Sequence, residues 1–126
     1  MNVNNEPVWV DVEAVGEFTK QKYFGKFSIK PYLTNGERAD VARLAQMYCR
    51  GITDDIDQKT FLTTLAFLKF HIVEADADWW TNGGLDPLDQ SPCFAIAVKV
   101  RELQDPVKPE EKSAEAEAKP APKKKS

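Results

Sequence analysis

Two adjacent tryptophans, Trp79 and Trp80, limit what this chain can fold into more than any other feature. They follow the most apolar stretch of the sequence, residues 56–73, and precede Gly83-Gly84 and the pairs Leu85-Asp86 and Leu88-Asp89. Tryptophan is the largest apolar side chain, and leaving two of them in a polar loop is costly. Either the chain's own last helix or another protein has to cover them.

The 126 residues suit one globular domain, residues 1–104, with an appendage, residues 105–126. The appendage has no aromatic residue, and Val107 is its only large aliphatic one. It cannot bury enough surface to offset its ordering entropy, so a disordered Pro/Ala/Glu/Lys tail is expected. Its six lysines against five acids give +1, which leaves −4 of the formal −3 to the body. An acidic body with no basic stripe argues against nucleic acid as a partner. Residues 1–7 are polar and asparagine-rich and carry no secretion signal, and no apolar run is long enough to cross a bilayer. The expectation is a cytoplasmic protein, without membrane contact, whose Cys49 and Cys93 stay reduced.

Local patterns predict an α+β fold. Val8, Val10 and Val12 alternate with Trp9 and Asp11. Residues 18–33 read as an antiparallel hairpin, with Gly25 a bulge or bend and Pro31 a strand end, in an N-terminal sheet of two or three strands. A capping box, Thr34 to Glu37, starts a helix that runs to about Arg50 with Val41, Leu44, Ala45 and Tyr48 on its apolar stripe. Asp54, Asp55 and Asp57 favour the start of a second helix, expected to reach Val73 and to be the most buried one. Ser91-Pro92 reads as the cap and first turn of a third helix, with Phe94, Ala97, Val98 and Arg101 on one face. Residues 93–103 also alternate like a strand; the cap and the alanines favour helix. The whole is a short sheet followed by a small three-helix bundle.

No constellation for catalysis, cofactor or metal binding emerges. His71, the only histidine, lies on an apolar helix and reads as a packed residue with one satisfied nitrogen. Glu74, Asp76, Asp78, Asp86 and Asp89 lack the glycine and glutamate positions of a calcium loop, and Asp86 and Asp89 read as turn and capping residues. Gly83-Gly84 lacks the lysine and further glycines of a phosphate loop. The reading is a non-enzymatic protein.

Three patterns in order give the chain a family likeness: Glu17-Phe18-Thr19 with Tyr23-Phe24-Gly25-Lys26-Phe27, two helices leading into Asp78-Trp79-Trp80, and Gly83-Gly84-Leu85-Asp86 with Leu88-Asp89 before a final helix. Over residues 17–104 the chain resembles the tail assembly chaperones of long-tailed bacteriophages. That resemblance implies a small protein in the host cytoplasm. It would bind the tape-measure protein, keep it soluble until tail tube protein polymerises around it, and then depart. It also implies a longer frameshifted form, with which the terminal Lys123-Lys124-Lys125 is compatible. Further copies of the chain are another partner to test. A chaperone of this kind needs exposed apolar surface for an amphipathic helix, and Trp79, Trp80, Tyr48, Phe67 and Phe70 are the candidate contacts. The alternative is that all five are core, and for the two tryptophans core packing is favoured. The competing function is a structural virion protein, a head–tail connector or tail-tube-associated component.

Overall fold

The computed structural model describes residues 4–104. The expected disordered tail, residues 105–126, lies outside them. The fold is α+β: a three-stranded antiparallel sheet and three helices.

Strand β1, Val8–Val15, pairs with β2, Lys22–Ile29, in an unbroken register from Val8 opposite Ile29 to Val15 opposite Lys22. The hairpin therefore begins ten residues before the expected residues 18–33, and residues 16–21 form its turn. Alternation explains the shift. Val10 and Val12 point to the core while Trp9, Asp11 and Glu13 face outward, so residues 8–15 match the pleat as well as β2 does. Gly25 is no bulge; it sits in register opposite Val12. A Cβ there would come within 2.5 Å of the Ala77 Cβ, so the glycine serves close approach.

Helix α1, Asn35–Tyr48, starts at the Thr34 capping box with both reciprocal hydrogen bonds made. Helix α2, Ile56–His71, is capped by the Asp55 carboxylate, which accepts from the Gln58 amide at 2.9 Å. It stops two residues short of Val73. Ile72–Asp76 forms the third strand, β3, antiparallel to β2 on the side away from β1. Two β-branched residues, Ile72 and Val73, open this segment, and β2 offers them unpaired backbone groups; extended pairing wins over one more helical turn. A register shift at Ser28/Ile29 leaves Val73 between the paired Ile72 and Glu74.

Residues 93–103 are helical, within α3, Ser91–Gln104. Its buried row is Pro92, Cys93, Ile96, Ala97 and Val100, while Val98 and Arg101 are exposed. The packed face is thus rotated from the expected Phe94–Arg101 row, because α3 lies against β1 and α2 together. One core cluster joins Val12, Phe27 and Ile29 of the sheet to Leu68 of α2 and Ile96, Ala97 and Val100 of α3. A second gathers Phe61, Leu62 and Leu65 of α2 around Cys93. Trp80 packs against both. α1 leans on α2 and has no fully buried residue: Val41, Leu44, Ala45 and Tyr48 are only half-buried.

Candidate interaction surface

The incomplete burial of α1 leaves an apolar groove of about 400 Å³ between it and α2. Residues three and four apart share a helix face. Val41 and Ala45 of α1 therefore form one wall, and Thr63, Phe67 and His71 of α2 form the other. Tyr32 and Leu33, in the link from β2 to α1, close one end with Gln104, the last residue of α3. That end is rigidly tied. The Tyr32 hydroxyl donates to the Gln104 carbonyl at 2.8 Å, and Gln104 Nε2 donates to the Pro31 carbonyl at 3.0 Å. Arg38 stands at the rim, its guanidinium donating to the Leu33 carbonyl at 2.7 Å.

His71 is buried in the wall. Its Nδ1 lies 2.6 Å from the Lys30 carbonyl, and since a carbonyl only accepts, Nδ1 carries the proton. The Lys30 amide returns a bond to the His71 carbonyl at 2.8 Å, so the end of α2 is doubly locked to the end of β2. Nε2 is buried and has no hydrogen-bond partner among the described residues. Burial pulls the imidazole pKa below its ordinary value, the Lys30 hydrogen bond opposing this only in part.

The five candidate contacts do not form one patch. Phe67 lines the groove. Phe70, three residues on, is half-buried and outside the groove lining. Tyr48 packs at the other end of α1 against the second cluster, which Trp80 also reaches. Trp79 meets Tyr23 edge-on at 5.3 Å and Phe27 at 5.6 Å, while Trp80 stands perpendicular to Phe27 at 5.8 Å. The Trp79 Nε1 donates to the Phe24 carbonyl at 3.0 Å. Both indoles are thus half-buried plugs between the sheet and the α2 face, covered by this chain itself.

Sequence reasoning missed a clasp between the hairpin turn and the start of α3. The carboxylate of Asp89 is fully buried. It accepts from the amides of Phe18 at 2.8 Å and Thr19 at 3.0 Å, and from the hydroxyls of Thr19 at 2.5 Å and Tyr23 at 2.7 Å. Burial by itself would raise its pKa, but those four donors outweigh it and hold the carboxyl well below the carboxylate range. The Tyr23 hydroxyl is pushed the other way, first by its bond to Asp89.

In return the Glu17 carboxylate accepts from the Gln90 and Ser91 amides, both at 2.9 Å, at the N-terminus of α3. Glu17 therefore caps that helix; Ser91, the expected cap, is its first residue and donates its hydroxyl to the Val15 carbonyl at 2.7 Å. A Cβ on Gly16 would run into the Asp89 carboxylate, which requires glycine there. No local signal announces a clasp whose halves stand some 70 residues apart.

The outer face of the sheet carries Asp11, Lys26 and Asp76 in one cross-strand row, flanked by Trp9 and Phe24, each about half exposed. Among the described residues no group of three His, Cys, Asp or Glu side chains is arranged to hold a metal ion. Cys93 is buried, which pushes its thiol up to about 12, so it is inert as a nucleophile. No helix among the described residues is long and apolar enough to cross a membrane. Comparison with protein-family models, curated proteins and solved structures found no match.

Proposed function

We propose that this chain is a non-enzymatic assembly chaperone of a long-tailed phage, working in the host cytoplasm, that holds amphipathic helices of the tape-measure protein until tail tube protein replaces it. One observation carries the reading: α1 has an apolar stripe and no fully buried residue, and with α2 it flanks an open apolar groove. Two helices with a half-filled seam are a seat for a third. Leaving the groove empty keeps part of the surface of Val41, Ala45 and Phe67 in contact with water. A partner helix that inserts Leu or Phe there gains roughly 1.5–3 kcal/mol per side chain. The body's charge of −4 serves solubility while the groove is exposed. Of the five contacts read from the sequence, this assigns recognition to Phe67 and leaves Trp79 and Trp80 to hold the groove's supports.

The test is co-expression with a long, helix-rich tape-measure protein as candidate partner. Rescue of that protein from the insoluble fraction and co-elution of the two are expected. Ala45→Arg, which fills the groove with a charge, should abolish rescue while the melting curve is kept. Elution of the chain alone, with the target still insoluble, overturns the reading. The exposed Trp9 and Phe24 on the outer sheet face favour the second reading, a structural virion protein, and recovery of the chain in purified particles would select it.

A further inference from the structure

His71 brings to the groove wall an acceptor for which the described residues provide no donor. With the proton on Nδ1 and committed to the Lys30 carbonyl, Nε2 is left with a bare lone pair. A buried polar atom in this condition is destabilising unless something satisfies it. The residue is 1% exposed, and the ring of Phe67, which itself lines the groove, lies against the imidazole with centroids 4.3 Å apart.

The lining restricts what can satisfy Nε2. A serine or threonine on a partner helix brings a neutral donor but almost no apolar body to fill the space between Leu33, Val41, Ala45 and Phe67. A lysine or arginine would bring a charge into a lining of Leu33, Val41, Ala45 and Phe67, at a desolvation cost with no carboxylate among the lining residues to offset it. The side chains with an apolar body and a neutral donor at the tip are tyrosine and tryptophan, which also dominate binding energy at interfaces.

We propose that the groove receives a tyrosine or tryptophan of the partner's amphipathic helix, whose O–H or N–H donates to His71 Nε2 as the Phe67 ring swings aside. This rests on the reading that the groove seats a partner helix. It adds specificity to a surface that would otherwise take any apolar helix: an aromatic without a donor leaves Nε2 unpaired in the complex too.

The experiment uses the full chain with 15N-labelled histidine and two probes of nearly equal shape, indole, which has an N–H, and benzothiophene, which has none. Indole should bind about fivefold more tightly, the worth of one ordinary hydrogen bond. It should also move the Nε2 resonance to lower frequency, as an acceptor nitrogen does, while benzothiophene leaves it in place. His71→Phe should erase the preference; the comparison of the two probes on the unaltered chain stands even if that variant does not fold. Equal affinities with an unmoved Nε2 signal, or entry of neither probe, overturn the proposal. So does a rise in indole affinity produced by deleting residues 106–126 or by dilution, which would make the chain itself the occupant. Co-purification with the tape-measure protein but no discrimination between probes would remove only this inference. Discrimination without co-purification would remove the chaperone reading and keep the donor site.

Discussion

Replacing Trp79 by alanine separates a packing role from a contact role. The indole meets Tyr23 at 5.3 Å, Phe27 at 5.6 Å and Trp80 at 6.2 Å, the first and last nearly perpendicular. Truncating a fully buried Phe or Trp to Ala costs about 3–5 kcal/mol. Trp79 is half-buried, which scales the transfer part down, but it loses three aromatic contacts that each add about 0.5–1.5 kcal/mol. The expected loss is about 3 kcal/mol.

For a domain of this size that is a fall in Tm of roughly 12–24 °C, against a total stability of about 5–15 kcal/mol. Trp79→Phe keeps most ring contacts and loses the exposed bond to the Phe24 carbonyl, at about 0.5–1 kcal/mol. Urea unfolding followed by far-UV circular dichroism reads both, with the m-value unchanged if the two states keep their compactness. Trp79→Ala unfolding at the same urea concentration as the unaltered chain would refute the packing argument; if partner binding were then lost, Trp79 would be a contact residue. In the double Trp79→Ala, Trp80→Ala variant the losses should fall short of their sum, because the two rings touch each other.

Gly84→Ala should cost about 2–4 kcal/mol in the same assay, combining a φ of +92° with a Cβ set 2.7 Å from Leu65 Cδ2 and 2.8 Å from Trp80 Cζ3. Stability should decline as pH falls below 6.5. Burial lowers the folded-state pKa of His71, so the unfolded chain takes up the proton first and the contribution, complete above 6.5, is lost toward the folded pKa. Lys30 and Glu37 are the charges facing the ring, and His71→Phe should flatten the slope between pH 7 and 5, as read by chemical denaturation at each pH. A second decline should set in below the ordinary Asp value of 3.8, where Asp89 begins to favour the unfolded chain, and Asp89→Asn should remove it. Deleting residues 106–126 should move Tm by no more than about 2 °C, since that segment offers no aromatic residue and only Val107 as a large aliphatic one to bury.

What could be read in the sequence was what neighbours decide. The Thr34 capping box, the acidic start of α2 and the apolar stripe of α1 involve residues within a turn or two of one another, and each forms as the pattern predicts. Strand β3 was hidden because Ile72 and Val73 continue the apolar period of α2. Only the presence of β2 beside them makes extended pairing the better choice. The rotation of α3 had the same origin: its apolar residues allow more than one face, and β1 and α2 select among them. The groove was half legible. The rows Val41, Ala45 and Thr63, Phe67, His71 have helical spacing, but nothing local says that they face each other or that His71 Nδ1 is already engaged by a strand.

The clasp shows how widely separated patterns can be one structural unit. The Phe18 and Thr19 amides and the Thr19 and Tyr23 hydroxyls, from the first pattern behind the family likeness, donate four hydrogen bonds to Asp89, from the third, while Glu17 reaches back to start α3. The second pattern, Trp79-Trp80, packs on Tyr23 and Phe27 from the same hairpin. Glu17, Thr19, Tyr23, Phe27, Trp79, Trp80 and Asp89 are therefore accounted for by docking the hairpin onto the helices, and none of these residues lines the groove, which lies between the two helices of the second pattern. A chain could keep every one of these residues for folding and still differ in the side chains of α1 and α2 that would choose a partner. Recognition is thus expected to vary with Val41, Ala45, Phe67 and His71, and exchanging these four between related chains should exchange partners while leaving the clasp, and the melting temperature it supports, in place.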